Sequence, residues 1–135
     1  MQLVKDIMSA DPLSVPGDAF IDVAIDLMIE KNISGLPVVD DFGELIGLIT
    51  EFDVLQLYSK QQPAAGYEGQ QCRDFMTTEI RSIGQEATLD TAAKIFQAAS
   101  IRRLLVVDDK RLVGVLSRRD IVRAIRDGRL ALTRG

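Results

Sequence analysis

Ser34-Gly35-Leu36-Pro37-Val38-Val39-Asp40-Asp41, followed by Gly47-Leu48-Ile49-Thr50-Glu51-Phe52-Asp53, returns further along the chain as Arg102-Arg103-Leu104-Leu105-Val106-Val107-Asp108-Asp109 and Gly114-Val115-Leu116-Ser117-Arg118-Arg119-Asp120. A period of roughly 68 residues is long for a solenoid and suits a small α/β unit present in two copies. In each copy, two short apolar runs flank an acidic turn, which predicts a β-hairpin. The turn is Asp40-Asp41-Phe42-Gly43-Glu44 in the first copy and the shorter Asp108-Asp109-Lys110-Arg111 in the second.

Working outward, each hairpin is preceded by a helical pattern. Ile21, Ala24, Ile25 and Met28 fall at i, i+3, i+4 and i+7, as do Leu89, Ala92, Ala93 and Phe96. Asp18 and Thr88 are the N-cap candidates for these helices. Ahead of them, Pro12-Leu13-Ser14-Val15-Pro16 and Ile80-Arg81-Ser82-Ile83 read as short extended pieces, the first because proline disfavours helix in the residue before it. Asp6-Ile7-Met8 and Asp74-Phe75-Met76 begin the copies. Asp53 to Ser59 and Asp120 to Asp127 read as closing helices. Each copy is therefore β-α-β-β-α. The expected organisation is residues 1–60 for the first copy, a polar, Gly- and Pro-containing linker 61–71, 72–127 for the second copy, and a frayed tail 128–135. Neither copy is large enough to cover both faces of its sheet, so the fold class expected is α/β, with two pseudo-symmetric units packed through their sheets.

Composition narrows the function. The chain is 47% hydrophobic but only 5% aromatic, so aliphatic side chains must build the core. A net charge of −4 argues against general binding to nucleic acid or anionic membrane. The absence of histidine removes imidazole-based triads and most zinc sites. The lone Cys72 has no partner for a disulfide or metal and reads as a small buried residue. No apolar run approaches a membrane span and the first residues do not resemble a signal peptide, so a cytoplasmic protein is expected.

Two β-α-β-β-α units, each closing in Gly-apolar-apolar-Thr/Ser-x-x-Asp, resemble a tandem of cystathionine β-synthase-type (CBS) domains, a Bateman module. The resemblance runs from about Val4 to Ala124, and it is carried by the Leu-Pro-Val-Val-Asp-Asp strand, the glycine before the last strand and the Thr/Ser-x-x-Asp motif. It implies a regulatory protein that binds adenine nucleotides or related adenosyl compounds in clefts between the copies. It also implies that the motif Asp holds the ribose hydroxyls, while Ser/Thr and nearby basic residues hold phosphate.

Thr50-x-x-Asp53 and Ser117-x-x-Asp120 also fit a plain helix-capping box, in which hydroxyl and carboxylate each satisfy a free backbone N–H. The readings part at the aspartates, because a ribose-binding carboxylate must point into a cleft. A helix N-terminus favours an anion in either case. The copies differ in charge. Where the first has Ser34-Gly35 and Glu51-Phe52, the second has Arg102-Arg103 and Arg118-Arg119. Guanidiniums clustered at two places that the fold brings together point to phosphate, whose oxygens match their forked donors.

Carrying the family pattern across gives a composite main site. Met8, Leu13, Ser14, Ile33, Ser34 and Gly35 would form the adenine slot, and Arg102, Arg103, Ser117, Arg119 and Asp120 would hold phosphate and ribose. Helical geometry is expected to turn only one of Arg118 and Arg119 inward, and the resemblance favours Arg119. A weaker mirror site would use Ser82, Ile101, Arg102 and Arg103 with Thr50 and Asp53, where Glu51 repels phosphate. AMP, ADP or ATP is the ligand class expected. S-adenosylmethionine fits less well, because its sulfonium would meet like charge. No cofactor is required, though Mg²⁺ could accompany a bound nucleotide. The alternative is a ligand-independent dimerisation module, using helix faces around Ile25 and Phe96 if these stay uncovered. An enzyme is not expected, since no activated nucleophile or phosphate-binding loop is present. A homodimer acting on an unidentified regulated protein completes the expectation.

Overall fold

The computed structural model describes residues 2–60 and 69–132. The expected linker 61–71 thus lies outside the described residues up to residue 68, as does the tail beyond 132. In chain order the elements are α1 (Val4–Ile7), β1 (Ser9–Ala10), β2 (Val15–Pro16), α2 (Ile21–Lys31), β3 (Gly35–Val39), β4 (Leu45–Thr50) and α3 (Glu51–Lys60). They continue as α4 (Cys72–Phe75), β5 (Ser82–Gly84), α5 (Leu89–Ala98), β6 (Arg103–Asp108), β7 (Arg111–Ser117) and α6 (Arg118–Arg126). The duplicated β-α-β-β-α order is therefore present as β2-α2-β3-β4-α3 and β5-α5-β6-β7-α6. In each, the first strand runs parallel to the second, and the second pairs antiparallel with the third. Both hairpins carry a register shift at the same place, between Val38 and Val39 and between Val106 and Val107.

The chain forms two compact units, Leu13–Ile80 on the one hand and Met1–Pro12 with Arg81–Gly135 on the other. These units do not follow the sequence copies, because each copy's leading segment joins the other copy's core. In the unit built on β5-β6-β7, β1 adds to the sheet edge against β7, giving the order β1-β7-β6-β5. There Val4 is fully buried with Leu89, Phe96, Leu104 and Leu116, and its N–H donates to the Ala87 carbonyl at 2.8 Å. In the unit built on β2-β3-β4, α4 buries Cys72 completely among Ile21, Met28, Leu36 and Ile49. Its N–H donates to the Ala19 carbonyl at 2.8 Å, and Thr77 and Leu48 exchange backbone hydrogen bonds at 2.8 and 2.9 Å. The apolar surroundings push the Cys72 thiol up to about 11, since burial penalises the thiolate.

Three local expectations need correction. Asp18 does not cap α2; Phe20 occupies that N-cap and offers no side-chain hydrogen bond, whereas Thr88 caps α5 by accepting from the Thr91 N–H at 3.2 Å. The closing helices start at Glu51 and Arg118, ahead of the aspartates, because Thr50 and Ser117 take the cap position. The faces around Ile25 and Phe96 are not free: Phe96 is buried in its core, and Ile25 packs against the other.

Glycine is required on β4 and β7 by the exchanged segments. A Cβ at Gly47 would collide with the Met76 sulfur, and one at Gly114 would lie 2.5 Å from the Met8 sulfur and 2.9 Å from the Ser9 carbonyl oxygen. Gly114→Ala is expected to cost about 1–3 kcal/mol through overpacking, and more than Gly47→Ala, because a backbone oxygen cannot swing away as a thioether can. Adding Met76→Ala should relieve the strain of Gly47→Ala, while Met8→Ala should relieve Gly114→Ala only in part. Urea midpoints of the two double-mutant cycles measure this. Equal relief in both cycles would remove the role assigned to the Ser9 carbonyl.

Candidate functional site

The end of each hairpin meets the start of its closing helix in one backbone corner. Gly35 pairs with Thr50 across β3 and β4, and Arg103 pairs with Ser117 across β6 and β7. The corner closes by the same bond in each unit: Glu51 N–H donates to the Ser34 carbonyl at 2.9 Å, and Arg118 N–H to the Arg102 carbonyl at 3.0 Å. Only the side chains differ. Ser34, Gly35, Glu51 and Phe52 decorate the first corner, and Arg102, Arg103, Arg118 and Arg119 the second.

The second corner opens into a hollow of about 870 Å³ lined by Arg102, Arg103, Ser117, Arg118, Arg119 and Val122. Both Arg118 and Arg119 line it, which corrects the expectation that one alone would face inward. The ion pairs among the described residues are Lys5–Glu86, Arg123–Asp120 and Arg126–Asp127, so none of the hollow's guanidiniums is neutralised by a carboxylate. Four exposed cations face one cavity and repel one another.

Both motif aspartates are caps. The Ser117 N–H donates to Asp120 Oδ2 at 2.8 Å, and Asp120 N–H donates back to Ser117 Oγ at 3.0 Å. Asp120 Oδ1 has only a long contact, 3.4 Å from Arg123 Nη1. Asp53 is held more fully. Its Oδ2 accepts from both the N–H and the hydroxyl of Thr50 at 2.8 Å, and its Oδ1 accepts from the Thr77 hydroxyl at 3.0 Å. It is 7% exposed. Asp120 thus leaves Oδ1 with only a long contact, whereas both Asp53 oxygens accept short hydrogen bonds.

The main-site residues divide between the units. Met8, Arg102, Arg103, Ser117, Arg119 and Asp120 belong to one, with Met8 packed against Gly114. Leu13, Ser14, Ile33, Ser34 and Gly35 belong to the other. Leu13 and Ser34 are exposed there. The missing Cβ at Gly35 has a local cause, since it would come within 3.2 Å of the Ile49 carbonyl oxygen. Of the mirror-site residues, Thr50 and Asp53 share one unit, bonded to each other. Ser82, exposed on β5, and the half-buried Ile101 lie in the other unit. Among the described residues, no group of three or more Cys, Asp or Glu stands together to hold a metal. Sequence reasoning left out Val122, which closes the hollow's rim, and Thr77, whose hydroxyl occupies Asp53. Thr77 follows Met76 as Ser9 follows Met8, which is the signal that relates them, but the pairing with Asp53 is visible only in three dimensions.

A family model described as CBS domain matches the chain twice, over residues 4–60 and 72–127. Inosine-5'-monophosphate dehydrogenase of Methanocaldococcus jannaschii is 31% identical over 122 residues, covering 90% of this chain and 22% of that protein. The CBS domain-containing protein YhcV of Bacillus subtilis is 32% identical, covering 90% of this chain and 84% of that one. The chain spans less than half the length of three Methanocaldococcus jannaschii relatives, at 22%, 23% and 42%. Among solved structures, CBSX2, a protein of Arabidopsis thaliana, in complex with AMP is 31% identical with a TM-score of 0.80, covering 96% of this chain and 100% of that one. The CBS domain pair of MJ0100, in complex with 5'-methylthioadenosine and S-adenosyl-L-methionine, is 29% identical with a TM-score of 0.72, covering 96% and 99%.

Proposed function

Because this chain belongs to the CBS-domain family and carries two copies of the domain, we propose that it is a regulatory module that binds an adenine nucleotide. The observation that carries this reading is the hollow lined by four unneutralised arginines beside Ser117. AMP in CBSX2 and the two ligands of MJ0100 share an adenosyl group, and the arginines select among adenosyl compounds by charge. A phosphate gains charge-assisted, forked hydrogen bonds from Arg102, Arg103 and Arg119. A sulfonium would add a like charge to the cluster, so S-adenosylmethionine is disfavoured. Asp120 Oδ1 takes the ribose diol. Mg²⁺ enters, if at all, on the nucleotide's own phosphates.

Thr50 and Asp53 make the poorer motif for a ligand, since both Asp53 oxygens already accept hydrogen bonds and Glu51 opposes phosphate. One nucleotide per chain is the expected stoichiometry. No catalysis is proposed. In the dehydrogenase relative the matched region is 22% of the protein, which suits an accessory role for such a pair. No helix among the described residues is long and apolar enough to cross a membrane. The regulated partner is a protein. One observation favours an interaction role in addition: α3 exposes Phe52, Leu55 and Tyr58 at 66%, 63% and 78%, a face suited to a homodimer.

Thermal unfolding with AMP, ADP and ATP tests the reading. A nucleotide at 100-fold its Kd should stabilise the protein by about 2.7 kcal/mol. The shift should vanish in Arg103→Ala and Asp120→Ala. No shift with any adenosyl compound would overturn the proposal.

A further inference from the structure

Resting on the reading that a nucleotide phosphate enters the arginine hollow, we infer that this site is matched to a polyphosphate chain, a nucleoside di- or triphosphate in preference to a monophosphate. The argument is one of charge balance. Arg102, Arg103, Arg118 and Arg119 line one cavity, and among the described residues none of them forms an ion pair or a side-chain hydrogen bond. A terminal monophosphate brings about two negative charges and three oxygens, enough for roughly two guanidinium forks. Two of the four cations would stay unmatched. Each further phosphate adds about one charge and more acceptor oxygens, which a hollow of about 870 Å³ can accommodate.

The duplicated corner is an internal control for what the fold itself requires. The same backbone closure, at 2.9 Å against 3.0 Å, is made with Ser34, Gly35, Glu51 and Phe52 in place of the four arginines. The guanidiniums are therefore dispensable for forming the corner. They are also costly there, because like charges in one cavity destabilise the ligand-free state. An acidic chain with net charge −4 that keeps four unpaired cations together does so for an anion of comparable charge.

Isothermal titration with AMP, ADP, ATP and inorganic tripolyphosphate, without Mg²⁺ and at two salt concentrations, tests the inference. The Kd should fall at least about tenfold from AMP to ATP, the equivalent of one added charge-assisted contact. The salt dependence should be steeper for ATP, and tripolyphosphate should bind and compete with it. Arg118→Gln should narrow the ATP-to-AMP ratio while raising the melting temperature of the ligand-free protein, which a merely structural arginine would not do. AMP and ATP binding equally well would overturn the polyphosphate preference and leave the nucleotide reading standing. Tripolyphosphate binding with no effect of any adenine nucleotide would uphold the anion match and sink the nucleotide reading. Binding of none of the four would sink both.

Discussion

Asp53→Ala is expected to destabilise the protein by about 3 kcal/mol, against about 1 kcal/mol for Asp120→Ala at the equivalent position. The two carboxylates sit in the same motif, so a purely local view would give them the same cost. Their surroundings separate them. Asp53 accepts from three donors, the Thr50 N–H, the Thr50 hydroxyl and the Thr77 hydroxyl, and it is buried. Alanine leaves the half-buried Thr50 N–H and hydroxyl without their acceptor, and it also frees Thr77, in the segment that follows α4, from its link to α3. Asp120 accepts one short bond, from the Ser117 N–H, and one long contact from the exposed Arg123, so alanine leaves fewer donors unpaired. The ligand response should run the other way. Asp120→Ala should lose its stabilisation by nucleotide, and Asp53→Ala, measured below its lowered melting temperature, should keep it. Urea unfolding with and without ATP reads both quantities. Equal costs, or loss of the nucleotide response in Asp53→Ala alone, would overturn the assignment of one aspartate to structure and the other to ligand.

Much of this was legible in the residues because the chain repeats itself. The hairpins followed from apolar runs around Asp40-Asp41 and Asp108-Asp109, and α2 and α5 from the spacing of Ile21, Ala24, Met28 and of Leu89, Ala92, Phe96. Thr88 could be read as a cap because a hydroxyl before an apolar stripe has few other local uses. Asp18 misled, since the chain turns between it and α2 and leaves Phe20 at the cap. The exchange of leading segments was not legible. Asp6-Ile7-Met8 and Asp74-Phe75-Met76 present the same pattern, so each could serve either core, and only long-range backbone bonds decide between them. For the candidate site, the charge contrast between the corners was plain in the sequence. Which of Arg118 and Arg119 would line the hollow was not, because long side chains from adjacent positions both reach it. The occupancy of Asp53 by Thr77 was equally hidden, since those residues are far apart in the chain and belong to different copies.

Cutting the chain at the sequence copies should leave neither half folded, whereas a segment cut at the compact unit should fold alone. Residues 1–60 lack Cys72, Phe75 and Met76, which fill the core around Ile21, Leu36 and Ile49. They also lack Thr77, which pairs with Leu48 and satisfies Asp53. Losing a large buried side chain costs about 2–5 kcal/mol, and units of about 60 residues are already marginal. Residues 72–135 lack Val4, buried in the other core, and β1, which leaves β7 as an open sheet edge. Residues 13–80 are similar in length but contain both α4 and the sheet that it covers. Circular dichroism and urea unfolding should therefore show a cooperative transition for 13–80, and none for 1–60 or 72–135. Equimolar mixing of the two copies should restore cooperativity, because each supplies the segment that the other's core needs. A cooperative transition in 72–135 alone would mean that Val4 and β1 are accessory to a core that holds without them. The exchanged segments would then be decoration on two autonomous repeats.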